Sequence, residues 1–148
     1  MCIRDSDIVM LKTDTVFSAE QFVGIPVDIG SVPQNELLTV SGFGTTEHGV
    51  LSPDLRYTLL NKFDVQYCAR KSGTTLSNDQ FCAGDKKYRR SSPCHGDSGG
   101  PLVSMSGNLV GLLSWSQGCA GPHQPSYFTN VNSHLSLIQK STIDCPDP

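Results

Sequence analysis

Charge and aromaticity are both scarce in this sequence: 17% of its 148 residues are Asp, Glu, Lys or Arg, and 7% are Phe, Trp or Tyr, with one tryptophan. Because 37% of the chain is apolar, this low charge excludes a self-repelling disordered polymer. The net charge of −3 supplies no excess of cations for nucleic acid or an anionic membrane surface, so neither is an expected partner. No apolar run approaches the roughly 18 residues of a membrane span. The N-terminus also lacks a basic region followed by an apolar stretch and a small-residue cleavage site. The cysteines form no CxxC pair of the kind that binds zinc, and no metal or cofactor is expected. Internal repeats and low-complexity tracts are absent as well.

What the chain does have is length for one packed domain, since a chain of this size buries about 68–70% of its unfolded surface. It also has 14 glycines, nine prolines and six cysteines. Cys68, Cys82, Cys94 and Cys119 lie in the turn-rich C-terminal half, which points to disulfides and an oxidising, secreted or extracellular setting. Cys2 and Cys145 stand apart near the two ends.

Residues 1–6 fit neither a strand nor a capped helix and read as a non-native leader, the plainer alternative being a frayed terminus. Asp7-Ile8-Val9-Met10-Leu11 then begins as a buried strand does, and short apolar runs follow at 37–43, 59–65, 102–105 and 108–115, separated by turn residues. That spacing predicts an antiparallel barrel or sandwich. Residues 13–36 hold isolated apolar pairs among turn formers and read as a surface crossing between packed units. Helical spacing appears only at Val131, Leu135, Ile138 and Thr142, with Asn132 or Ser133 as cap, so one C-terminal helix is expected.

The chemistry is concentrated at Gly96-Asp97-Ser98-Gly99-Gly100-Pro101. A serine hydroxyl attacks a carbonyl only when a base takes its proton and donors stabilise the oxyanion. Glycines on both sides permit a sharp turn and close approach of a substrate, so the N–H groups of Gly96 and Ser98 can converge on one oxygen. A glycine-rich turn with an incidental acid is the alternative reading, but the six-residue run with Cys94 just before it is more specific than a bare GxSxG.

This run resembles that of the chymotrypsin/trypsin family of serine proteases. The similarity extends over about 7–139 through Asp7-Ile8-Val9-Met10-Leu11-Lys12, Ser41-Gly42-Phe43-Gly44, Phe81-Cys82-Ala83-Gly84, and Ser114-Trp115 ahead of Gly118-Cys119. The resemblance implies an all-β fold: the second antiparallel barrel of a two-barrel protease (37–143, with a C-terminal helix), a remnant of the first barrel and the crossing (7–36), and a tail (144–148). It implies a serine endopeptidase acting on peptide or protein substrates and open to protein inhibitors. Ser98 is then the acyl-forming nucleophile, and Asp7 is the buried carboxylate that orients the catalytic imidazole. Asp97 would pair with an amino terminus released by zymogen cleavage, Ser114 would support Asp7, and Ser114, Trp115 and Ser116 would present an edge to the substrate backbone. The implied disulfides are Cys68–Cys82 and Cys94–Cys119. Leu38 and Ser104 stand where many relatives have a bonded cysteine pair.

The family's catalytic histidine precedes the acid by tens of residues, and only six residues precede Asp7. His48, His123 and His134 read as solvent-facing, and His95 sits beside the oxyanion turn, where a base has poor geometry. The chain is therefore expected to be a C-terminal fragment with negligible activity alone. In the pocket, Ser92 replaces the aspartate that trypsins use to bind Arg or Lys, with Ser116 and Ser126 on the walls, which implies cleavage after small to medium neutral residues. A non-catalytic homologue serving as a binding or regulatory module is the alternative. Lys86-Lys87-Tyr88-Arg89-Arg90 reads as a solvated basic loop, with an exosite or a nicking site as the functional alternative.

Overall fold

A computed structural model describes residues 3–5, 7–87, 91–119 and 124–144. Cys2, Tyr88, Arg89, Arg90, His123 and Cys145 lie outside the described residues. Ile3–Asp5 (β1) pairs antiparallel with Ile8–Met10 (β2), so the opening segment includes a strand, contrary to the sequence reading. Backbone pairing drives this ribbon, which side-chain pattern in three residues cannot announce, and Asp7 links the strands with φ at 62°.

Six strands form the body of the molecule: Leu37–Gly42 (β3), Arg56–Lys62 (β4), Gln80–Gly84 (β5), Pro101–Ser104 (β6), Leu109–Ser116 (β7) and Ser126–Asn130 (β8). All neighbours are antiparallel, and the order β3-β4-β5-β8-β7-β6 closes on itself as a barrel. Alternation along the strands sends Leu38, Val40, Leu60, Phe81, Leu102, Val110 and Phe128 inward to a common core. At the closing seam Leu38 lies opposite Ser104, both buried, so the two positions that the family resemblance links are in register across β3 and β6.

β8 is buried on both faces. Phe128 fills the barrel, whereas Tyr127 packs with Cys68, Leu76 and Cys82 beneath the helix Val65–Ser72 (α1). The sequence reading ran a strand through Val65 and missed this helix. Asp64 is the reason: its carboxylate accepts from the Tyr67 N–H at 2.7 Å as an N-cap, and Gly73, at φ 75°, ends the helix by donating to the Ala69 carbonyl. Disulfides join Cys68 to Cys82 and Cys94 to Cys119, the pairings that the family resemblance implies.

Residues 11–36 run over the surface. They attach at β7 through backbone bonds between Asp28 N and Leu109 O (2.9 Å) and between Leu109 N and Pro26 O (2.8 Å). They attach at β4 through Lys62, whose Nζ donates to the Val32 carbonyl at 2.6 Å and lies 5.7 Å from the centre of the Phe81 ring. Burial lowers the pKa of Lys62 from 10.5, and the nearby Glu36 opposes the shift. Burial also raises that of Tyr127 from 10.0.

At the C-terminus a 3-10 turn, Val131–His134, leads into the helix Leu135–Asp144 (α2). Neither Asn132 nor Ser133 caps α2. The Ser133 hydroxyl instead donates to the Asn78 carbonyl at 2.9 Å. His134 also departs from expectation: the 3-10 turn faces it inward, leaving it 7% exposed, with no hydrogen-bond partner for its Nε2 among the described residues.

A lysine that ionises less readily when folded penalises the native state while it is charged, and the penalty fades as pH rises toward its unfolded value of 10.5. Stability of the wild type relative to Lys62→Met should therefore increase with pH in denaturant titrations from pH about 8 to 10.5, and a flat difference would contradict the assignment. His134→Leu removes an unsatisfied buried atom that costs about 1–3 kcal/mol. Its thermal midpoint should rise by about 2–6 °C, as read by circular dichroism.

Candidate active site

Residues 94–101 form a turn between the Cys94–Cys119 disulfide and β6, held from three sides. Asp97 N donates to Cys94 O at 3.1 Å and Gly100 N to Asp97 O at 2.9 Å, folding the turn on itself. Gly99 N to Leu113 O (2.8 Å) and Leu113 N to Gly100 O (2.9 Å) lace it to β7. Gly96 and Gly99 have φ of 94° and 81°, a region that residues with a Cβ rarely occupy, and Ser98 is left exposed between them.

The His95 carbonyl accepts from Thr45 N–H at 2.8 Å, and no peptide in the described structure is cis. In a trans peptide the carbonyl and the following N–H point in opposite directions. Gly96 N–H is therefore turned away from the 43–55 loop. Among the described residues neither it nor Ser98 N–H donates to a backbone acceptor.

Asp97 turns the other way. Its carboxylate accepts from Gly44 N–H and Cys94 N–H, each at 2.8 Å. It lies so close to the 42–44 backbone that a Cβ on Gly44 would fall 2.5 Å from its Cγ, which is why Gly42-Phe43-Gly44 carries no side chain at either flank. Beside it opens a cavity of about 670 Å³ lined by Val40, Ser41, Tyr57, Ser92 and Pro93, among others. Ser98, Ser114, Trp115 and Ser126 are not among its lining residues, whereas Cys94, His95 and Asp97, next to Ser98 in the chain, are.

Asp7 reaches the barrel from the β1–β2 ribbon. The register of β7 against β8 slips between Leu113 and Trp115, leaving Ser114 as an extra residue in a bulge that redirects its side chain. The Ser114 hydroxyl donates to Asp7 Oδ2. Thr129, on β8 and assigned nothing in the sequence reading, places its Oγ1 3.4 Å from both Asp7 Oδ2 and Asp7 O. Its signal in the sequence is only alternation, which points it away from the barrel core that receives Phe128. Asp7 itself is exposed rather than buried, a correction to the sequence reading: the two hydroxyls contact it from the barrel side only.

Trp115 stacks on Tyr127 with ring centroids 3.7 Å apart and planes 4° apart. Ser116 lies directly opposite Ser126, which is 2% exposed, while Ser92 is half-buried. Two described histidines are exposed: His48, 3.7 Å from Glu47, and His95. Among the described residues no imidazole bonds to Asp7 or Ser98. The donor atoms of Cys94, His95 and Cys119 lie within 4.8 Å of one another, but both sulfurs are spent in the disulfide, so this donor set does not suit a metal.

A trypsin of Phaedon cochleariae is 32% identical over 143 residues, covering 93% of this chain and 55% of the relative. Human transmembrane protease serine 5 is 34% identical, covering 95% and 33%. Tissue-type plasminogen activator of Sus scrofa is 31% identical, covering 93% and 28%. The chain thus spans about half the length of the beetle trypsin and a third or less of the other two. A solved structure of neuropsin, a serine protease of mouse brain, superposes with a TM-score of 0.78 at 23% identity over 85% of this chain and 56% of that one, a likeness of fold. The sequence profile of the Trypsin family matches residues 2–138, and the chain belongs to that family.

Proposed function

We propose that this chain carries the nucleophile half of a serine endopeptidase. Ser98 Oγ attacks the scissile carbonyl, the oxyanion is held by Gly96 N–H and Ser98 N–H, the C–N bond breaks as the amine leaves protonated, and water hydrolyses the acyl-enzyme. The observation that carries the reading is the turn itself: an exposed Ser98 whose own N–H and that of Gly96 have no backbone acceptor among the described residues, braced by Asp97 and β7. Each such donor contributes about 10²–10³ in rate. Asp7, received by Ser114, is the acid that orients the base and stabilises it when charged.

The base is a histidine, and none described here is suited to the task. We infer that these 148 residues alone turn over peptides negligibly. Asp97 completes the site when a protonated amino terminus enters the neighbouring cavity, where a third donor meets a carboxylate already holding two N–H groups.

Ser92 offers no counter-ion to a buried guanidinium or ammonium, whose desolvation is costly. Ser116 and Ser126, opposite each other on β7 and β8, are the walls that the family resemblance assigns to the pocket, and two small hydroxyl side chains there favour Ala, Val, Leu or Met before the scissile bond. Peptides and proteins are the substrates and protein inhibitors the regulators. Two disulfides support secretion into an oxidising compartment.

Chromogenic peptide hydrolysis by the 148-residue chain should match that of Ser98→Ala. Joined to a histidine-bearing first segment of the family and activated, the chain should hydrolyse a Leu substrate at least about tenfold faster than an Arg one. Preference for Arg would refute the specificity. A folded fusion without Ser98-dependent turnover would favour the reading as a non-catalytic binding module. The seat of Asp97 is tested separately: Gly44→Ala should cost about 1–3 kcal/mol in urea unfolding. In an Asp97→Gly background that cost should fall by more than half, the two sites being in contact.

A further inference from the structure

Asp7 is an exposed, non-glycine residue in the left-handed region, φ 62°, on a ribbon of two three-residue strands. Neither burial nor a long strand fixes its carboxylate, so its orientation must come from the groups that touch it. Those are hydroxyls. Ser114 Oγ donates to Oδ2, and Thr129 Oγ1 lies within hydrogen-bonding distance of Oδ2 and of the Asp7 main-chain oxygen, 3.4 Å from each. Among the described residues no donor reaches Oδ1.

Thr129 is 1% exposed, and a buried hydroxyl without a partner is costly. A threonine hydroxyl has one proton to give. Both acceptors within its reach belong to Asp7, so wherever the proton points it binds the same residue, once through the side chain and once through the backbone. Branching at Cβ restricts χ1 and keeps Oγ1 on that side of β8.

We propose that Thr129 is a positioning residue which, together with Ser114, holds Asp7 Oδ2 and thereby fixes the orientation of the carboxylate that receives the N–H of the catalytic base. The assignment rests on Asp7 being the triad acid. Ser114 alone would fix one end of the carboxylate but leave it free to swing about the Ser114 contact. Thr129 supplies the second point, and through the carbonyl it also steadies the backbone on which the carboxylate is mounted.

The test uses the 148-residue chain and needs no catalysis. Three-bond couplings about Asp7 χ1, measured by NMR, should report one rotamer in the wild type. Thr129→Val, which keeps shape and removes the hydroxyl, should lose that single rotamer and give averaged couplings. Thr129→Ser should restore it, and Ser114→Ala should lose it. A single Asp7 rotamer in Thr129→Val, or averaging in Thr129→Ser equal to that in Thr129→Val, would overturn the proposal. Should Thr129→Val fail to fold, the wild type gives an independent reading: the Thr129 hydroxyl proton should be protected from exchange and show cross-relaxation to the Asp7 β-protons, and an unprotected proton would overturn the proposal equally. Failure of the protease reading would show in the hydrolysis assays and leave these couplings unmoved.

Discussion

Closure of the barrel along β3 and β6 is the constraint on which the site depends. β3 ends at Gly42, two residues before the Gly44 N–H that binds Asp97, and β6 begins at Pro101, where the Ser98 turn ends. Pairing of these two strands, with Leu38 against Ser104 and Val40 against Leu102, therefore carries the glycine loop and the Ser98 turn to the same end of the barrel. Without it the Asp97 carboxylate would have no backbone to rest on, and the two N–H groups beside Ser98 would have no fixed direction.

A second layer of polar contacts works from outside. The hydrophobic cluster inside the barrel includes none of Ser114, Thr129 and Asp97. Their hydrogen bonds run instead between segments distant in sequence: Asp7 to β7 and β8, Asp97 to Gly44, two residues past the end of β3. Net stabilisation from each such bond is small, about 0.5–1.5 kcal/mol, or up to about 3 where a charge takes part. What they fix is direction. In a serine protease direction carries much of the rate, because donors must aim at the oxyanion before it forms.

Much of this was legible in the sequence, and for identifiable reasons. Gly96-Asp97-Ser98-Gly99-Gly100-Pro101 requires residue types that a backbone of that shape imposes, so the turn could be read directly. The strands at 37–43 and 102–105 showed themselves through continuous apolar runs. By contrast α1 was hidden because Asp64, which caps it, follows β4 so closely that Val65 looked like the end of the strand. β8 was hidden because it is buried on two faces and so shows no alternation, only Ser126 through Asn130 with mixed polarity. His134 and Thr129 were missed for a related reason. A polar residue gives no sign in one dimension of whether it faces water or another element, and both are settled by the packing of β8 and the 3-10 turn after it.

The order in which these contacts form follows from where they lie along the chain. α1 and the Cys68–Cys82 pair, only 14 residues apart, need little of the chain to meet. The seam between β3 and β6 joins segments separated by most of the barrel, and contacts of that kind form slowly because loop entropy is lost before they reward it. The seam thus belongs to the late stages of folding. The turn of 94–101 leans on Leu113 and Gly44, residues of or beside strands that this seam brings round, so its shape is tied to the slowest pairing of the barrel.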